Sequence, residues 1–206
     1  MMTVTLRDIA RHVGRSVTTV SRALADYDDV SEETRLRVRQ AALELGYEPN
    51  TAARQLQKQR TDTLGLVIPT FGPRFSDPFF SEFLAGVGNE VSRQGFDLLV
   101  STQEPGEKEE QAYLKTIRSR RVNGFIVVRT RRNDARVNLL RSSGYPFVTF
   151  GRVEGDNDFP LVDEDSEFGI RSVVKHLIEL GHTRIGCIAP PAILMLSHYR
   201  LLAFYY

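Results

Sequence analysis

From residue 63 onward the sequence alternates short apolar runs with longer amphipathic stretches, and this alternation restricts the fold more than any other feature. Residues 64–68 (LGLVI), 96–100 (FDLLV), 124–128 (GFIVV) and 146–150 (PFVTF) have the apolar, β-branched and aromatic texture of buried strands. Between them, residues 80–94, 107–120 and 134–143 carry helical spacing. Strand and helix in regular succession predict an α/β fold with a doubly wound parallel sheet, and such sheets hold ligands at the carboxyl ends of their strands. A further unit begins at residues 161–162, passes through a predicted helix over 166–180 that stops at Gly181, and enters a predicted strand over 184–189. Residues 193–206 look like the start of one more helix.

The first 50 residues have a different texture. Leu6, Ile9, Ala10 and Val13 fall at i, i+3, i+4 and i+7 and make one stripe of a short helix that Gly14 ends. Ser16 can cap a second helix in which Val20, Ala23 and Leu24 share an inward face while Val17, Thr18, Ser21 and Arg22 point outward. Ser31 opens a third, with Glu32 and Glu33 in its first turn and Leu36, Val38, Ala42, Leu43 and Leu45 as apolar mass before Gly46. Residues 51–60 suggest a brief polar helix, marginal by itself because one short helix does not offset its nucleation cost.

Charge and chemistry narrow the function. Lys and Arg number 27 against 26 Asp and Glu, a net charge of +1, so a nucleic-acid partner has to be met by basic charge concentrated locally. Arg7, Arg11, Arg15 and Arg22 are opposed only by Asp8, and Arg54, Lys58 and Arg60 have no acid near them in residues 51–61. The arginines at 118, 120, 121, 129, 131, 132, 136 and 141 suggest a solvated helix and loop face. The single cysteine, Cys187, excludes an intramolecular disulfide framework and is expected as an inert core thiol of a cytoplasmic protein. No apolar run reaches the roughly 18 residues of a membrane span, and Arg7, Asp8 and Arg11 interrupt any secretory apolar segment. There is no Walker A loop, no His-Glu-x-x-His and no Gly-x-Ser-x-Gly, so the expectation is a non-enzyme with no cofactor or metal.

A helix, a glycine turn and a second helix with an exposed polar face make a helix-turn-helix, whose second helix can enter the major groove of DNA. Thr5-Leu6-Arg7-Asp8-Ile9-Ala10, then Gly14, Ser16, Thr19-Val20-Ser21-Arg22 and Leu24, closely resembles the headpiece of the LacI/GalR family of bacterial transcriptional regulators. Val30-Ser31, Thr34-Arg35, Leu45-Gly46-Tyr47, Pro49-Asn50, Ala53-Arg54 and Leu56 follow in the family's order. Leu64-Gly65-Leu66-Val67-Ile68-Pro69, Asp77-Pro78-Phe79-Phe80, Val122-Asn123-Gly124-Phe125-Ile126 and Pro146-Phe147-Val148 with Arg152 resemble its periplasmic-binding-protein-like sensor. The resemblance implies an all-α headpiece over 1–49, a hinge helix and linker over 50–62, a first sensor lobe over 63–160 and the start of a second lobe over 161–206.

It also implies roles. Val17, Thr18 and Arg22 would face base edges: Arg22 bidentate to guanine, Val17 on a thymine methyl, Thr18 as donor or acceptor. Thr5, Ser16, Thr19, Ser21, Ser31 and Thr34 would bond phosphates, which fixes register without reading sequence. Leu56, flanked by Ala53, would wedge into the minor groove, or alternatively dock on a sensor surface. A small saccharide-like effector would meet Asp77, Phe79, Arg129, Phe150, Arg152 and Arg200, polar groups for hydroxyls and aromatics for apolar sugar faces. Taken alone, Asp77 is equally a helix cap, and Arg129 and Arg152 are equally surface residues.

The function implied is a repressor of carbohydrate-utilisation genes whose grip on operator DNA is modulated by that effector, homodimeric at full length. The competing readings are a small-molecule-binding or enzymatic α/β domain with a helical interaction module, and a non-functional remnant of a regulator. Two departures stand out: Ala203 replaces a common glycine and Ser166 a common asparagine. Family members continue well past residue 206, so the second lobe and part of the dimer surface are expected to be incomplete here.

Overall fold

The computed structural model describes residues 4–47, 60–70 and 78–205. The chain divides into two compact units, Met1–Lys58 and Gln59–Tyr206. In the first, three helices, α1 (Leu6–Val13), α2 (Val17–Leu24) and α3 (Glu32–Leu45), pack on one another. Each starts at a hydroxyl residue. Ser16 Oγ accepts the Thr19 N–H at 3.0 Å and Ser31 Oγ accepts that of Thr34 at 3.4 Å, while Asp8 takes both the N–H and the hydroxyl of Thr5. Gly14 and Gly46 end α1 and α3 at φ 65° and 69°, a left-handed conformation that costs glycine little. Ser16→Ala should therefore destabilise the helical unit by about 1 kcal/mol, measurable by urea unfolding followed by circular dichroism.

The helical core is Ile9, Ala10, Val13, Val20, Ala23, Val30, Val38, Ala41 and Ala42. Two predicted core leucines are not in it: Leu36 is 59% and Leu43 83% exposed. In α3, residues 38, 41, 42 and 45 form the inward stripe, and a helix with one buried face leaves 36 and 43 outside it.

The second unit holds a five-stranded, all-parallel sheet in the order β2-β1-β3-β4-β5. The strands are β1 (Thr63–Pro69), β2 (Asp97–Gln103), β3 (Gly124–Val127), β4 (Phe147–Phe150) and β5 (Leu161–Val162). Helices α4 (Pro78–Arg93), α5 (Glu107–Arg118), α6 (Ala135–Ser142), α7 (Ser166–Glu179) and α8 (Met195–Tyr205) complete it. Successive residues of β1 feed opposite faces. Val67 joins Tyr113, Phe125, Val137 and Leu140 beneath α5 and α6, whereas Leu66 and Ile68 join Phe80, Phe83 and Leu84 beneath α4. A Cβ on Gly65 would lie 2.8 Å from the Phe125 ring, so only glycine lets β1 approach β3 this closely.

Several expectations are corrected here. Leu161–Val162, expected to begin the next unit, adds an edge strand to this sheet beside β4, Leu161 pairing with Thr149 and Val162 with Phe150. Residues 184–189 form no strand: no strand among the described residues lies beside them to complete a ladder. Cys187 is consequently exposed, as is Ile188, and α7 buries none of its residues.

The arginine-rich face is also not all solvated. Arg136 and Arg131 are 0% and 7% exposed, buried with Glu109 and Asp134. Beside them the Tyr113 hydroxyl is buried with no hydrogen-bond partner, and burial raises its pKa. Tyr113→Phe, which removes that orphan group, should stabilise the unit by about 1 kcal/mol in denaturant unfolding.

Candidate functional site

Two surfaces carry the predicted residues, one on each unit. On the helical unit, Val17, Thr18 and Arg22 project outward from α2 while Val20 and Ala23 are buried beneath them. Thr5, Ser16, Ser31 and Thr34 lie at the helix starts, where their hydroxyls are engaged locally: Ser16 with Thr19 at 2.8 Å and Ser31 donating to Thr34 at 2.9 Å. Ser21 is half-buried. These hydroxyls aim helix N-termini, whose first N–H groups lack intrahelical acceptors and attract anions. Arg22 is held in place. Its Nε lies 3.1 Å from Asp29 Oδ1, its Nη2 2.6 Å from Asp29 Oδ2, and its guanidinium 4.8 Å from the Tyr27 ring centre.

On the sheet unit a cavity of about 410 Å³ lies at the carboxyl ends of β3, β4 and β5. Five of the six predicted effector residues line it: Phe79, Arg129, Phe150, Arg152 and Arg200. The sixth, Asp77, and the hinge residues Ala53 and Leu56 lie outside the described residues. One wall is aromatic, with ring centres 6.3 Å apart for Phe79 and Phe83, 5.8 Å for Phe79 and Phe150, and 5.1 Å for Phe83 and Phe150.

The facing wall is polar and internally paired. Arg152 bonds Asp163 at 2.6 Å and lies 4.1 Å from the Tyr199 ring centre. Arg200 bonds Glu164 at 2.5 Å, and Ser166 donates to the same carboxylate at 2.9 Å. Burial opposes ionisation of Glu164, but the bonds from Ser166 and Arg200 outweigh it and lower its pKa. A Cβ on Gly151 (φ 101°) would come within 2.5 Å of the Thr130 hydroxyl, so the cavity floor tolerates no side chain there. Paired charges opposite an aromatic wall suit a neutral, polyhydroxylated ligand: forks and carboxylates bond hydroxyls while the rings cover C–H faces.

Among the described residues, no cluster of three or more His, Cys, Asp or Glu side chains could hold a metal ion, and no helix is long and apolar enough to cross a membrane. The family model described as bacterial regulatory proteins, lacI family, matches residues 5–50. That for periplasmic binding proteins and the sugar binding domain of the LacI family matches residues 41–200. The chain belongs to the LacI family.

This LacI-family chain is 39% identical over 197 residues to the HTH-type transcriptional regulator AglR of Rhizobium meliloti (strain 1021), covering 95% of itself and 55% of AglR. A solved complex of the transcriptional regulator CelR with cellobiose is 32% identical with a TM-score of 0.64, over 98% of this chain and 60% of that one. The lac repressor dimer bound to operator and the anti-inducer ONPF is 26% identical with a TM-score of 0.82, over 99% and 61%. The chain thus spans little more than half the length of the regulators it matches.

Sequence reasoning missed Asp29 and Tyr27 beside Arg22, and Asp163, Glu164 and Tyr199 in the cavity. The signal for Asp29 was present: an acid seven residues beyond an exposed arginine, across the turn that follows α2. Asp163 and Glu164 immediately follow a strand on the ligand-binding edge, a position that the general rule for parallel sheets already marks.

Proposed function

We propose that this chain is the operator-binding and effector-sensing part of a cytoplasmic, non-enzymatic transcriptional repressor of carbohydrate-utilisation genes. Residues 1–49 bind the major groove, with Val17, Thr18 and Arg22 reading bases and Thr5, Ser16, Thr19, Ser21, Ser31 and Thr34 aligning on phosphates. Residues 50–62 form the hinge, Leu56 and Ala53 meeting the minor groove. The sensor begins at residue 63 and takes a saccharide between the aromatic wall and the Arg152 and Arg200 wall, with Asp77 and Arg129 beside it. The protein works as a homodimer on a two-fold operator, as the lac repressor dimer in its operator complex suggests.

The convergence of Phe79, Arg129, Phe150, Arg152 and Arg200 on one cavity is the observation that carries this reading. Residues scattered between positions 79 and 200 meet where parallel sheets bind ligands. The test is selection of a preferred duplex from a randomised DNA pool, followed by titration in rising salt with and without cellobiose. The expected result is a sequence retained at salt concentrations that release random duplex, and weaker retention when the sugar is present. Equal release of selected and random duplexes would reject the operator-binding reading.

A further inference from the structure

Behind the cavity lies a charged cluster that the functional reading leaves unused. Arg136, Glu109, Asp134 and Arg131 are 0%, 0%, 3% and 7% exposed. Arg136 grips Asp134 with two bonds, Nε to Oδ1 at 2.9 Å and Nη2 to Oδ2 at 2.7 Å, and reaches Glu109 Oε1 with Nη1 at 3.2 Å. Glu109 Oε2 accepts from Arg131 Nη2 at 2.7 Å. Two cations and two anions therefore balance in the interior.

The same guanidinium donates to two backbone carbonyls, Val128 at 3.2 Å and Arg129 at 3.1 Å, while Asp134 accepts the Arg131 N–H at 3.0 Å. The turn over residues 128–132 is thus held from inside at residues 128, 129 and 131. Its outer edge is the docking strip for α8: Thr130 O accepts the Met195 N–H at 2.9 Å, and the Arg132 N–H donates to Ile193 O at 3.3 Å. The turn presents Arg129 and Thr130 to the cavity, and α8 brings Tyr199 and Arg200 to its other side. Arg129 sits at φ 51°, a conformation that a non-glycine residue keeps only where its surroundings over-determine it.

We propose that Arg136 is a positioning residue for the effector cavity, acting through this cluster to fix the 128–132 turn in the one conformation that both presents Arg129 and docks the start of α8. The inference rests on reading the cavity as an effector site. Stability alone does not require four buried charges, because apolar residues of similar volume often serve as well. An arginine fork supplies directional donors to two carbonyls at once, which neither an apolar side chain nor a lysine point charge can reproduce.

The test compares the full chain with Arg136→Lys and with the charge-balanced double variant Arg136→Met, Asp134→Asn, by amide hydrogen exchange and by cellobiose binding. In both variants the Arg131 and Met195 amides should exchange about tenfold faster, while Leu66 and Val67 in β1 change by less than about twofold. Cellobiose affinity should fall by about tenfold. Unchanged exchange at Met195, or acceleration spread evenly through β1 and α8, would overturn the proposal. Collapse of the whole unit in both variants would overturn it too, since the cluster would then be a stability element. Failure of the unaltered chain to bind cellobiose would count against the effector reading, and the exchange pattern would still decide the positioning claim.

Discussion

Glu109→Leu is expected to destabilise the sheet unit by about 3–5 kcal/mol, a large share of the roughly 5–15 kcal/mol that holds a typical domain together. Glu109 is the acid shared by both buried arginines, with one oxygen for each. Its loss leaves Arg131 and Arg136 with Asp134 alone, an excess positive charge in a place that water does not reach. Coulomb repulsion between the guanidiniums is then uncompensated, and neither can shed its proton. The charge-balanced pair Arg136→Met, Asp134→Asn removes one charge of each sign and should cost far less. Urea unfolding should therefore rank the single substitution well below the double. The helical unit has a separate core, so exchange at Val20 and Val38 should stay as it is. If the single and the double variants lose the same stability, charge balance is not what matters in this cluster.

What the sequence made legible was what depends on period and local chemistry. The apolar runs at 64–68, 96–100, 124–128 and 146–150 all contribute to neighbouring parallel strands. The central β1 and β3 are apolar because they are covered on both faces, whereas β2, expected as buried, is an edge strand with Asp97 and residues 100–102 exposed. The capping hydroxyls Ser16 and Ser31 and the glycine stops at 14 and 46 were local signals of the same kind. Several of the misses depended on a partner distant in sequence. Arg136 looks like a surface residue until α5 brings Glu109 to it from 27 positions away. Residues 184–189 have a strand's composition, yet a strand exists only when another lies beside it. Leu36 and Leu43 have the right chemistry on the wrong side of α3, where a competing stripe at 38, 41, 42 and 45 takes the inward face. Five cavity residues were found by resemblance, but their pairing with Asp163, Glu164 and Ser166 belongs to three dimensions.

Arg22→Ala is expected to lower affinity for the selected duplex by about 1–3 kcal/mol, while affinity for random duplex falls by less. The reason lies in how the guanidinium is already held. Asp29 occupies the Nε hydrogen and one Nη2 hydrogen. The remaining Nη2 hydrogen and both on Nη1 still form a fork suited to guanine O6 and N7. Tyr27 covers one face of the group, so part of the side-chain entropy is lost before DNA arrives. Both ends of the pair are exposed, with 44% and 55% of their side chains open to solvent, so the ion pair itself contributes little to folding. Its use is orientation, and Asp29→Asn should reproduce a fraction of the Arg22→Ala loss on the selected duplex without destabilising the helices. On random duplex the same change should strengthen binding slightly, because it removes a negative charge facing phosphates. Titration of both variants on both duplexes at one fixed salt concentration separates these effects. Equal losses for Arg22→Ala on the two duplexes would make Arg22 a phosphate contact and leave base reading to Val17 and Thr18.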